Sequence, residues 1–256
     1  MTKTSGVLRG KVAVITGATS GFGEAIARRF AQEGAALVLG GRDEQRGSAL
    51  LGELSAQGAV VDFVSGDVGD EETAERLAAQ ARDRHGRIDT LILNAGSNEA
   101  GNAAFWTVPP ADFDRVLRTN VRGVWLGARA AVPLMSHGST IVVMGSQQSV
   151  IVCRGNAAYA TSKAAALQLA RAMALDLAPK GIRVNALCPG VCETPLTRNA
   201  IERDADPAAF EAELQALSPL GRFGTAEEIA GHVLFLASEQ SSFITGAGLM
   251  ADGGTS

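Results

Sequence analysis

The chain has 256 residues, 46% hydrophobic and 20% charged, which suits one large α/β domain or two small ones with a sizeable core. A net charge of −4 gives no pull toward nucleic acid or anionic membrane, and no apolar run nears the roughly 20 residues of a membrane span. The opening MTKTSGVLRG lacks the apolar stretch of a secretion signal. Three cysteines (Cys153, Cys188, Cys192) are too few for a disulfide framework, so a reducing, cytoplasmic setting is expected. His85, His137 and His232 are scattered without ligand spacing, and no metal site is expected; the C-x₃-C pair Cys188 and Cys192 keeps a metal or redox reading as the minor alternative.

Strand-like apolar runs alternate with amphipathic or alanine-rich helical segments, with no repeat and no linker. In chain order the strands are KVAVIT (11–16), ALVLG (36–40), VVDFV (60–64), IDTLILN (88–94), STIVVMG (139–145), IRVNALC (182–188) and a weaker GLMA (248–251). Helices are predicted at about 21–33, 43–57, 70–85, 110–135, 156–179 and 225–238. Near-continuous apolar runs suit strands covered on both faces, so the sheet is read as parallel. The alternation predicts a doubly wound Rossmann fold, a seven-stranded parallel sheet with helices on both faces. It forms one domain over 1–256, with an N-terminal tail at 1–10 and a substrate lid at about 193–222. Right-handed crossovers bring every strand's carboxyl end to one edge, where ligands of such sheets bind.

The first strand is followed by TGATSGFGEAIARRF, with Gly17, Gly21 and Gly23 opening a helix. Glycines let backbone N–H groups approach a pyrophosphate, which a helix N-terminus also attracts. The loop reads as a dinucleotide cradle, with Thr19, Ser20 and Phe22 among its contacts, against the bland alternative of an ordinary turn. It lacks the lysine of a P-loop. The second strand ends LVLGGRDE, where Gly40 and Gly41 put no acid at the tip and Arg42 follows. A carboxylate there would accept from a ribose 2′-hydroxyl, whereas a guanidinium pairs with a 2′-phosphate. NADP(H) is thus favoured over NAD(H), with a solvated loop arginine as the alternative. Asp43 is expected to cap the next helix.

TGATSGFG (16–23), DV (67–68), NAG (94–96), Asn120 with VRG, Ser146, YATSK (159–163), PG with a following Thr194, and DGG (252–254) occur in the order and at the spacing of the short-chain dehydrogenase/reductase family. Across essentially its whole length the chain resembles that family's main single-domain branch. The resemblance implies an NAD(P)-dependent oxidoreductase that interconverts a carbonyl compound and its alcohol. It also implies that Asp67 and Val68 hold the adenine, that Asn94, Ala95 and Gly96 lie along the coenzyme, and that Pro189, Gly190, Cys192 and Thr194 reach its nicotinamide side. Cys192 stands where Ile or Val is usual; the family contact there is a backbone N–H, which cysteine also supplies. Ser20 stands where many NADP-dependent members carry Arg or Lys, which leaves Arg42 to carry that preference.

Tyr159, the only tyrosine, and Lys163 are four apart and share one helix face. A free phenol titrates near 10, and lowering that by about two to three units takes roughly 3–4 kcal/mol of phenolate stabilisation. An ammonium held close, with the positive nicotinamide of the oxidised complex, supplies opposite charge. Tyr159 is therefore the candidate general acid/base and Lys163 its tuner; by the resemblance Lys163 also bonds the nicotinamide ribose. Ser146, just past the fifth strand, is the candidate to polarise the substrate oxygen, with Ser149 as its rival. Asn120 sits inside a predicted helix, a mediocre place for Asn. The resemblance implies that it holds a water against Lys163; the alternative is a local hydrogen bond.

The substrate wall is expected from 97–106, 147–153 and 191–217, after strands four to six, with Trp106, Gln148 and Val191 among its contacts. Gln147 and Gln148 point toward a hydroxylated or otherwise polar carbonyl compound; Phe105 and Trp106 have loop packing as their alternative. The 3-oxoacyl-(acyl-carrier-protein) reductases of the family are a second candidate, although they carry ITRD after NAG where this chain has SNEA. Enoyl reductases space Tyr and Lys by six intervening residues against three here. A catalytically silent dinucleotide-binding sensor or scaffold is the alternative of another class. It would need a broken tetrad, and Asn120, Ser146, Tyr159 and Lys163 are all in place. Alanines along 156–179, by the family's mode of assembly, imply a homotetramer or a dimer.

Overall fold

The computed structural model describes residues 6–101 and 103–256. Every predicted apolar run forms a strand: β1 (Val12–Thr16), β2 (Ala36–Gly41), β3 (Val61–Ser65), β4 (Thr90–Leu93), β5 (Thr140–Met144), β6 (Arg183–Pro189) and β7 (Gly248–Ala251). All pair in parallel, in the order β3-β2-β1-β4-β5-β6-β7. The winding direction reverses between β1 and β4, which opens a crevice beyond their carboxyl ends. The helices are α1 (Gly21–Gln32), α2 (Glu44–Ala56), α3 (Glu71–His85), α4 (Pro110–Leu117), α5 (Gly123–Ala131), α6 (Ala157–Leu177), α7 (Pro195–Glu202), α8 (Pro207–Ala216) and α9 (Ala226–Ala237).

Side-chain alternation along each strand builds two cores, one on each face. Ala13 and Ile15 of β1 share the first with Ile26 and Phe30 of α1 and Ile229 and Val233 of α9. Val14, between them, joins the second with Leu77 of α3, Val124 of α5 and Ala170 of α6. This two-sided burial is why the strands read as unbroken apolar runs.

The single helix expected over 110–135 is interrupted. It comprises α4, a π-turn at Arg118–Arg122, α5 and a 3₁₀ turn at Val132–Leu134. Asn120 lies in the π-turn and is 1% exposed, and Pro133 removes an N–H where the helix tightens. Asp43 caps α2 as expected, its carboxylate accepting from the Arg46 N–H at 2.9 Å. Of the expected tail, residues 1–5 lie outside the described residues; Leu8 is buried, and its N–H bonds the Glu33 carbonyl at 3.1 Å. The segment 193–222 holds α7 and α8, pinned together by Arg198, which bonds Glu211 at 2.9 Å and also Glu193.

Candidate active site

The loop between β1 and α1 is built around close backbone approach. Gly17 (φ +65°) and Gly21 (φ +55°) occupy the left-handed region. A Cβ on Gly23 would overlap the Gly17 carbonyl and lie 2.6 Å from Asn94 Nδ2, so this glycine lets the helix start fold back on its own loop. Asn94 braces that loop, its amide donating to the carbonyls of Thr16 and Gly17 at 3.1 Å each. The N-cap of α1, Ser20, makes no side-chain cap bond, which leaves first-turn N–H groups for an anion.

A cleft of about 250 Å³ runs along the carboxyl edge from this loop. Gly17, Thr19, Ser20, Gly21 and Phe22 form one side. Arg42 with Asp67 and Val68 forms one end. Asn94, Ala95 and Gly96 lie along it, and Tyr159, Lys163 and Thr194 complete it. Most of the expected coenzyme contacts thus lie along one groove, and the uncapped helix start and tight glycine turn fit a dinucleotide's pyrophosphate. Gly23, Pro189, Gly190, Val191 and Cys192 are absent from the lining. Gly190 packs on the C-terminal segment, where a Cβ would lie 2.6 Å from Asp252 Cα. Cys192 pairs with Gly224 through the Val191 carbonyl and the Glu193 N–H, and its own N–H has no partner among the described residues. Trp106 is 75% exposed and Gln148 half-buried, and neither lines the cleft; residue 102 of the expected wall lies outside the described residues.

Tyr159 and Lys163 sit one turn apart on α6, with Lys163 Nζ 5.7 Å from the phenol ring centre. Lys163 is buried and donates to the Met144 carbonyl at 2.7 Å; burial lowers its pKa to about 8. The packed surroundings of Tyr159 push its pKa above the ordinary phenol value, the Ser146 hydroxyl pulling the other way and losing. Ser146 Oγ accepts from the Gln148 N–H at 3.1 Å, which leaves its proton free to donate. Ser149, the rival, has spent its hydroxyl: it accepts from the Ser146 N–H at 3.2 Å and donates to the Lys163 carbonyl at 2.9 Å. The Asn120 carboxamide is also spent on protein groups. Its oxygen accepts from the Ser97 N–H at 2.8 Å, and its nitrogen donates to the Ser97 carbonyl and the Ser162 hydroxyl at 2.9 Å each. That amide clamps the β4 loop to α6.

Several lining residues escaped the sequence reading. Arg46 was read only as part of a helix, although a second cation four residues past Arg42 was a usable signal; its Nε lies 2.7 Å from Asp43 Oδ2. Thr119, Met144, Gly145, Pro195 and Leu196 also line the cleft, each within two positions of an expected site residue. Cys188 and Cys192 are buried free thiols, the first pushed up by burial and the second pushed up to about 12. Among the described residues no group of three or more His, Cys, Asp or Glu is placed to hold a metal ion, and no helix is long and apolar enough to cross a membrane.

Comparison with known proteins matches residues 17–256 to a family model described as enoyl-(acyl carrier protein) reductase. The 2-(R)-hydroxypropyl-CoM dehydrogenase of Xanthobacter autotrophicus is 39% identical over 95% of this chain and 97% of its own. The 3-oxoacyl-(acyl-carrier-protein) reductase FabG of Thermotoga maritima is 36% identical over 96% of this chain and 98% of its own. Among solved structures, a short-chain type dehydrogenase/reductase from Mycobacterium marinum superposes with a TM-score of 0.90 at 33% identity, covering 98% of both chains. A Serratia marcescens short-chain dehydrogenase/reductase variant gives 0.89 at 35%, covering 97% of this chain and 99% of that one.

Proposed function

The chain belongs to the short-chain dehydrogenase/reductase family and is a nicotinamide-dinucleotide-dependent oxidoreductase of a carbonyl–alcohol pair; on that premise we propose how its own residues do the chemistry. One observation carries the reading: the glycine loop and the Tyr159–Lys163 pair open into the same cleft. The bound dinucleotide supplies or accepts the hydride. Tyr159 gives its hydroxyl proton to the carbonyl oxygen in reduction and takes it back in oxidation. Ser146, whose hydroxyl faces the Tyr159 oxygen, donates to the substrate oxygen as charge builds there. Lys163, which here donates to the Met144 carbonyl, would stabilise the phenolate and hold the ribose of the bound coenzyme. Burial alone moves Tyr159 the wrong way for neutral catalysis, so its tuning belongs to the loaded enzyme. Asn120 acts at one remove, as a positioning residue that fixes Ser97 and α6.

NADP(H) is the proposed coenzyme, supported by the acid-free tip of β2 and by Arg42 in the cleft. The substrate contacts are Gln148, Trp106 and Val191, with an apolar body facing the exposed side chains of Phe105, Trp106, Val150 and Val152 on the loops after β4 and β5 and of Leu196 at the start of α7. A 3-oxoacyl-(acyl-carrier-protein) substrate, as named for the Thermotoga relative, is the second reading. Assembly into a homotetramer or dimer is proposed through α4, α5 and α6. Ala158, Ala160, Ala166 and Ala170 of α6 pack inside the subunit, whereas Ala157, Ala164, Leu175 and the half-exposed Trp125 of α5 remain for a second copy. Buried free thiols fit a reducing, cytoplasmic setting. Following nicotinamide absorbance across alkyl, aryl and hydroxylated ketones and an acetoacetyl thioester, with NADPH and with NADH, tests the function. Turnover of a ketone supports it; coenzyme binding with no turnover anywhere supports the silent scaffold instead.

A further inference from the structure

We propose that Glu99 sets how strongly the site distinguishes a coenzyme bearing a 2′-phosphate from one without it, by competing for Arg42. The inference rests on the reading of Arg42 as the 2′-phosphate contact. At the tip of β2 a Cβ on Gly41 would lie 2.5 Å from Thr19 Cγ2, so no carboxylate fits there unless Thr19 moves. Discrimination by charge therefore falls to the residues that follow. Arg46 is already matched by Asp43, whose carboxylate accepts from the Arg46 side chain at 2.7 Å and from its backbone N–H at 2.9 Å and is held below its ordinary pKa by those bonds. Arg42 has a looser acid partner, its Nη1 lying 4.0 Å from Glu99 Oε1.

Glu99 comes from the loop after β4, whereas Arg42 follows β2, and β1 lies between the two strands. The pair thus reaches across the β1 carboxyl end, over the dinucleotide cleft. Glu99 is also anchored from behind, its other oxygen accepting from Arg115 Nε of α4 at 3.0 Å. An anchored carboxylate therefore faces Arg42, the cleft-lining cation with the looser acid partner.

An exposed ion pair at this distance contributes little by itself, so parting it costs a coenzyme with a neutral 2′-hydroxyl little. A doubly charged phosphate drawn to Arg42 instead meets the Glu99 charge. For a separation of roughly 8 Å through water-like dielectric, that repulsion weakens binding about three- to fivefold at low salt, and less as salt rises.

Calorimetric titration with NADP⁺ and with NAD⁺ tests this on the wild type, Glu99→Gln, Arg42→Ala and the double variant, at low and at high salt. Glu99→Gln is expected to tighten NADP⁺ about three- to fivefold, to leave NAD⁺ unchanged, and to lose the gain at high salt; in the Arg42→Ala background, where the phosphate is no longer drawn toward Glu99, the gain is expected to be smaller. If Arg42→Ala weakens NADP⁺ selectively but Glu99→Gln leaves the NADP⁺/NAD⁺ ratio alone, Glu99 is overturned and the Arg42 reading stands. An equal change for both coenzymes in Glu99→Gln marks a structural role and also overturns it. If Arg42→Ala leaves the ratio unchanged, the reading of Arg42 falls, and this inference with it.

Discussion

Replacing Gly23 with alanine tests whether the phosphate loop works through close backbone approach. Any Cβ there lies 2.6 Å from Asn94 Nδ2 and 2.7 Å from the Gly17 carbonyl carbon, against an optimum near 3.5–4.0 Å for non-bonded heavy atoms. Relief needs a shift of about 1 Å in the loop or in Asn94, and either breaks the Asn94 bonds to Thr16 and Gly17. Alanine gains up to about 1 kcal/mol of helix propensity over glycine, but overpacking of a tight site costs about 1–3 kcal/mol, so the clash wins. For a domain of this size each kcal/mol shifts the melting temperature by roughly 2–4 °C. Gly23→Ala should therefore melt several degrees lower and lose tenfold or more in NADP⁺ affinity. Gly52→Ala, on the exposed face of α2 with no atom within 4 Å of the added carbon, is the control and should gain slightly in stability. Wild-type melting and affinity in Gly23→Ala would refute the packing argument.

The remaining predictions concern the proposed catalytic pair and the rim. Lys163 titrates near 8 in the free protein against 10.5 for its ordinary value, so from pH 8 upward the unfolded chain binds more protons and stability rises with pH, by about 3 kcal/mol over the full window. In chemical denaturation between pH 7 and 9.5, the stability of the wild type relative to Lys163→Met should rise with pH, the shared thiol titrations cancelling in the difference; parallel profiles would contradict it. Tyr159 is the only tyrosine, so ultraviolet titration of the phenol reads one group. Its midpoint should lie above 10 in the free protein and fall when NADP⁺ binds, and a free-protein midpoint below 10 would show that desolvation does not dominate at this phenol. Along a series of 2-alkanones, each added CH₂ that reaches the apolar rim should raise kcat/KM about fourfold, the equivalent of about 0.8 kcal/mol. A flat series, or a preference for hydroxylated ketones, would remove the apolar body from the substrate.

The sheet and the phosphate loop were legible because both depend on local pattern. Strands covered on both faces must be apolar throughout, and the glycine turn must follow the first of them. Features set by contacts between distant segments were not. Nothing in RTNVR, residues 118–122, announces a π-turn: it contains neither Gly nor Pro, and Asn120 is drawn there by Ser97 and Ser162. Spacing favours Ser146 over Ser149 without showing the physical ground. The choice turns on which hydroxyl keeps its proton, and that depends on the Lys163 carbonyl one element away. The partners of Arg42 were out of reach for the same reason, since Glu99 lies 57 positions along the chain and across a strand.

The most direct test of the proposed chemistry removes one oxygen atom. Tyr159→Phe keeps the ring that lines the cleft and deletes the proton it gives or takes. On a ketone that the wild type reduces, kcat should fall about 10²–10⁴-fold, the usual worth of a general acid, while NADP⁺ binding by calorimetry stays within a few-fold. Near-native turnover in Tyr159→Phe would contradict the account at its centre.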